Sequence, residues 1–97
     1  MIDLPREQLQ LVSTILKRHL PGCRIRAFGS RVTGNAVRFS DLDILIEGET
    51  CPAPEKLEAA RDALSESDLP IMIDLVEADR LPDSLRKQIE EQATPIP

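Results

Sequence analysis

Asp41 and Asp43 stand two residues apart in Ser40-Asp41-Leu42-Asp43-Ile44-Leu45-Ile46, a run that reads as the start of a strand. A strand's period of two sends both carboxylates to one face and Leu42, Ile44 and Ile46 to the other. Two like charges in one site repel unless a cation or hydrogen-bond donors compensate. Hard oxygen donors in small number suit magnesium, which keeps its remaining positions for waters and substrate phosphates. An Asp-x-Asp pair at a strand start equally serves to cap the preceding loop, so the pair alone leaves both readings open.

A third carboxylate, Asp74, interrupts the apolar run Ile71, Met72, Ile73, Leu75, Val76. Buried there, it needs a counter-charge or a metal; on an edge strand facing water, it needs neither. If its strand neighbours that of Asp43, the three acids share one centre, and Asp74 is also placed to take a proton from a hydroxyl. Upstream, Gly29-Ser30 ends an alternating run and opens a turn, where backbone N–H groups and a small hydroxyl can approach a phosphate. Gly29 as a plain strand terminator is the alternative. Arg31 reads either as a triphosphate contact or as an exposed helix residue.

These residues need a scaffold, and the periodicities supply one. Pro5 suits a helix start, and Leu9, Val12 and Leu16 recur with helical spacing up to Pro21-Gly22. From Cys23 to Phe28 the pattern alternates, with Cys23, Ile25 and Ala27 on one face and Arg24 and Arg26 on the other. Residues 30–40 predict a short helix or turn followed by a loop, and Leu42 to Glu47 a second strand. Pro52 and Pro54 mark a connection to a helix carrying Leu57, Ala60 and Leu64 and ending near Ser67. Ile71 to Val76 is the third strand, Leu81, Leu85 and Ile89 a last amphipathic helix, and Pro95-Ile96-Pro97 an extended tail. The order predicts one α+β (α/β) domain over residues 1–97, a small sheet packed with helices. The short link between the first two strands permits antiparallel pairing.

Composition narrows the function. Ninety-seven residues at 41% hydrophobic content support one core. Phe28 and Phe39 are the sole aromatics, so any base-stacking platform is thin. A formal charge of -5 argues against generic nucleic-acid binding. Yet Lys17, Arg18, Arg24, Arg26, Arg31 and Arg38 all fall between Glu7 and Asp41, an interval without an acidic residue, so one end suits a polyphosphate or an acidic partner. Cys23 and Cys51 lack disulfide-framework or zinc spacing, and His19 reads as a surface residue of the first helix. With charges at Asp3, Arg6 and Glu7, the start of the chain resembles neither a signal peptide nor a membrane span, and the expected setting is the cytoplasm.

Phe28-Gly29-Ser30-Arg31-Val32-Thr33-Gly34, followed by Ser40-Asp41-Leu42-Asp43-Ile44-Leu45-Ile46, resembles the signature of the minimal nucleotidyltransferases of the DNA polymerase beta superfamily. Asp74 in Ile73-Asp74-Leu75-Val76 matches the place of the family's third acid. The resemblance implies a mixed sheet with helices packed on it and the nucleotidyltransferase fold. It also implies Gly29 and Ser30 on the β and γ phosphates, magnesium on Asp41 and Asp43, and Asp74 completing the metal site or acting as base. Relatives often carry arginine at the position of Thr33, which removes one phosphate contact here.

Chains of this size resemble the antitoxin half of two-gene toxin–antitoxin systems, whose partner is a small helical RNase toxin of the HEPN class silenced by adenylylation. The expected reaction moves a nucleoside monophosphate, AMP by resemblance, from ATP to a hydroxyl of that partner, with release of pyrophosphate. The absence of tyrosine excludes self-modification on that residue. A module neutralising its partner by contact alone is the alternative; a metal-dependent hydrolase fits less well, because no histidine or activated nucleophile is placed beside the acids. An open site and a small core also favour association, in a stoichiometry that the pattern does not specify.

Overall fold

The computed structural model describes residues 2–48 and 53–97. Pro5 caps the first helix, α1 (Arg6–His19), as its fixed φ leads into the first turn without needing an N–H. Val12 and Leu16 are fully buried, while Lys17 and Arg18 stay in solvent. Strand β1 (Arg24–Phe28) follows, then the four-residue helix α2 (Ser30–Thr33) and strand β2 (Leu42–Glu47). Helix α3 (Pro54–Glu66) starts at its proline and buries Leu57, Ala60 and Leu64, the stripe expected from the sequence. Strand β3 (Ile73–Glu77), a 3-10 turn (Ala78–Arg80), helix α4 (Asp83–Gln92) and strand β4 (Thr94–Pro95) complete the chain.

The four strands form one mixed sheet in the order β3-β2-β1-β4. β1 is antiparallel to β2 and β4, whereas β2 and β3 run parallel, as the intervening α3 crossover requires. The α+β class is therefore as expected. Two details differ from it. The tail is not merely extended: Thr94 and Pro95 pair with Ala27 and Arg26, closing the edge of β1. Leu81 ends the 3-10 turn instead of lining α4, and Leu85 is 43% exposed, so Ile89 carries that helix's burial.

One face of the sheet packs Ala27, Leu42, Ile44, Ile46 and Leu75 against α1 and α3, forming the main core. Each such Leu or Ile contributes roughly 1.5–3 kcal/mol when fully buried. The other face is thinner. There Leu45, Ala78 and Ile89 form a small cluster, edged by Phe28, Val76 and Leu81.

Beyond it, Arg26 donates to Glu47, and Arg86 lies 3.5 Å from Glu47 and 3.3 Å from Glu90. Arg26 is 8% exposed, on the face opposite Ile25 and Ala27. α4 lies over it and supplies Glu90 at 3.6 Å. Cys23 is disulfide-bonded, against the expectation of separate thiols; Cys51, like Pro52 in the predicted connection, lies outside the described residues. Arg24 pairs with Glu47, so the end of β2 runs beside Cys23, a proximity that linear spacing does not display.

Candidate active site

The β2–β3 register sets Asp43 directly against Asp74. In a parallel pair, register partners project their side chains to the same face, and Asp41 lies two residues before Asp43. All three carboxylates therefore belong to the thinner face, at the end where β2 and β3 begin and β1 finishes. β3 is an edge strand and Asp74 is exposed, the second of the two placements that the sequence left open. Asp41 is exposed as well, whereas Asp43 is half-buried. Burial, then the charges of Asp74 and Asp41, pushes the Asp43 carboxyl above its ordinary value.

Phe28 pairs with Asp43 across β1 and β2, so Gly29, the next residue, reaches the same carboxylate. Gly29 has φ +83°, and a Cβ built on it would collide with Asp43 Oδ2. Any other residue there would both strain the backbone and displace the acid. The Gly29 carbonyl accepts from Val32 N and Thr33 N, each at 3.0 Å, folding Ser30 into the first position of α2. Gly29 thus stands beside the Asp43 carboxylate, with Ser30 following it into α2.

Arg31 is placed differently from both sequence readings. It is 6% exposed and donates to three carbonyls: Ser40 at 2.9 Å, Asp3 at 2.8 Å and Arg38 at 3.2 Å. Its guanidinium ties the loop ahead of Asp41 to the chain before α1. That loop holds Val37 and Phe39 out in solvent, with the Arg38 guanidinium 5.2 Å from the Phe39 ring centre. Thr33 is exposed, and its hydroxyl accepts from Asn35 at 3.2 Å.

Sequence reasoning missed Gln92. Its Oε1 accepts from the Gly29 N–H at 2.7 Å, from the last residue of α4. No local pattern marks it, since a polar residue at a helix end is ordinary. A groove of about 400 Å³ also runs along β3, lined by Leu64, Ile71, Met72 and Asp74 among others.

Among the described residues, no group of three or more carboxylate, imidazole or thiolate side chains is arranged to hold a metal ion. Magnesium asks for less: one or two carboxylates, with waters and substrate phosphates in the other positions. An open pair of acids, one of them short of compensation for its charge, has the donor chemistry for that ion. Among the described residues, no helix is long and apolar enough to cross a membrane.

Comparison with known proteins agrees with this arrangement. Residues 9–96 match the model of the nucleotidyltransferase domain family. The chain is 41% identical over 76 residues to the probable protein adenylyltransferase MntA of Haemophilus influenzae, covering 78% of this chain and 67% of that one. A solved minimal nucleotidyltransferase superposes with a TM-score of 0.73 at 33% identity, over 93% of this chain and 90% of its own. A toxin–antitoxin structure with AMP-PNP shares the fold at the same TM-score, 0.73, with 24% identity over 91% of this chain and 71% of that one. The chain belongs to the nucleotidyltransferase domain family and is one of its minimal enzymes.

Proposed function

We propose that this nucleotidyltransferase transfers AMP from ATP to a hydroxyl of a partner protein, and that the partner is a toxin, of the HEPN class by the resemblance of the sequence. The observation that carries the reading is the Asp43–Asp74 register beside Gly29-Ser30. Together these features bring a glycine turn and acidic side chains to one exposed end of the sheet, a combination that supports reading the turn as a phosphate contact and the acids as cation ligands and base. The adenylyl group is suggested by the name of the Haemophilus relative, and the toxin by the neighbour's description.

In this reading, Ser30 and the turn it opens hold the β and γ phosphates, and Asp41 and Asp43 hold magnesium. Bound there, magnesium would neutralise the triphosphate and relieve the repulsion among the acids. Asp74 takes the proton from the acceptor hydroxyl, whose oxygen bonds to the α phosphorus as the α–β bridging bond breaks and pyrophosphate leaves. Alignment and charge neutralisation, more than covalent chemistry, are what such a transfer asks of a protein. The exposure of Asp74 leaves it accessible to a second macromolecule. Arg31 serves by holding the Asp41 loop. We place the reaction in the cytoplasm, where ATP is abundant.

Contact-only neutralisation is the second reading, favoured by Thr33 in place of an arginine and by the commitment of Arg31 to carbonyls. The two are separated by intact mass measurement of the partner after incubation with ATP and magnesium. A gain of whole AMP units with the unmodified chain, lost with Asp43→Asn and Asp74→Asn, is expected. No gain, with a stable complex formed by all three chains, would overturn the transferase reading.

A further inference from the structure

The β1–β4 ladder pairs Arg26 with Pro95 and Ala27 with Thr94. Extending that antiparallel register sets Phe28 against Ala93 and Gly29 against Gln92. The strand itself stops at Thr94, because Gln92 is still helical, so no β4 backbone carbonyl faces Gly29. The Gln92 side chain fills that place, its Oε1 accepting from the Gly29 N–H at 2.7 Å. The ladder is continued by a side chain at the one residue where the backbone must also turn toward Asp43.

Gly29 is thereby held from two directions. Its N–H is fixed by Gln92, and its Cα lies so close to Asp43 Oδ2 that no Cβ fits. α4, which carries Gln92, is anchored by Ile89 in the small cluster and by Glu90 and Arg86 in the ion network on Arg26 and Glu47. Past Gln92, Ile96 N donates to Ile25 O at 3.3 Å, and Pro97 O accepts from Ser13 Oγ at 2.5 Å and Lys17 Nζ at 2.9 Å. The segment crosses β1 and ends on α1, so Gln92 cannot drift without unpairing this strap.

We infer that Gln92 is a positioning residue: by holding the Gly29 N–H it sets the pose of the Gly29-Ser30 turn against Asp43, and so governs nucleotide affinity. The inference rests on the reading that this turn cradles the phosphates. Gln92 acts through Gly29 and touches no reacting atom. Its loss raises the dissociation constant for nucleotide and the KM for ATP, leaving kcat at saturation nearly unchanged.

The test uses the whole chain with Gln92→Leu, which removes the acceptor at similar volume, Gln92→Glu, which keeps one, and Ser13→Ala, which loosens the strap at its far end. Amide NMR reads the turn directly. In Gln92→Leu the Gly29, Ser30 and Arg31 amides should shift and the Gly29 amide should exchange faster; in Gln92→Glu the Gly29 bond should persist. Titration with magnesium and AMP-PNP should show about tenfold weaker binding in Gln92→Leu, the loss expected for one well-aligned bond, and no change in Ser13→Ala.

Unmoved turn amides in Gln92→Leu would overturn the inference, as would unchanged or tighter nucleotide binding. Equal losses in Gln92→Leu and Ser13→Ala would also overturn it, reducing Gln92 to a support of the fold. If the unmodified chain binds no nucleotide, the phosphate-cradle reading fails, and the amide shifts alone decide whether Gln92 sets the turn.

Discussion

Asp43 and Asp74 are register partners across the parallel β2–β3 pair; burial first, then the charges of Asp74 and Asp41, hold the Asp43 carboxyl above its ordinary value. A carboxyl that keeps its proton more readily when folded contributes stability that is complete below the unfolded pKa. That contribution is lost as pH rises through the raised, folded value. Asp43→Asn, neutral throughout, should therefore have a higher Tm than the unmodified chain in EDTA at neutral pH. The difference should shrink toward zero as pH falls to about 4, near the unfolded carboxyl's pKa. Thermal melts across that range check it; a gap that stays constant with pH would remove the electrostatic explanation.

Arg31 is bound to three carbonyls and almost fully enclosed. Arg31→Met preserves much of the apolar stem but leaves those acceptors unpaired, at a cost of about 3 kcal/mol. Lysine cannot reproduce the planar fork, so Arg31→Lys should recover less than half of that loss. Urea unfolding measures both, and near-normal stability in Arg31→Met would show the carbonyls to be satisfied by water.

Gly29→Ala combines a positive φ with a clash against Asp43 Oδ2. The backbone term alone is about 1–3 kcal/mol. Transfer activity should fall beyond what the lost stability explains, because the acid is pushed from its place. Activity proportional to the folded fraction, measured alongside circular dichroism, would count against this.

Glu47 receives Arg26 and lies within reach of Arg24 and Arg86. Removing one partner of an enclosed ion pair typically costs about 3–5 kcal/mol, since the other charge remains buried without compensation. Glu47→Ala should be destabilised by roughly that amount, and Arg26→Met in the same chain should recover part of it. Double-mutant unfolding energies decide, with additive losses excluding the coupling.

Much of this molecule can be read from local pattern. Val12 and Leu16, Leu57, Ala60 and Leu64, and the alternation of Leu42 to Ile46 each report one element, because burying one face imposes a short period. Asp41 and Asp43 share a face by the same rule. What escaped local reading are relations between distant segments: Arg26 enclosed by α4, Arg31 turned to Ser40, Asp3 and Arg38, and Cys23 beside the end of β2.

The amino-acid order alone determined the main elements, the two-residue spacing of Asp41 and Asp43 and the Gly29-Ser30 turn, since each depends on neighbours in the chain. Only the tertiary structure decided that β3 lies parallel beside β2 with Asp74 against Asp43, and that Gln92 reaches Gly29. Strand order and helix docking are set by how the elements bury their apolar faces together, and no single segment carries that information.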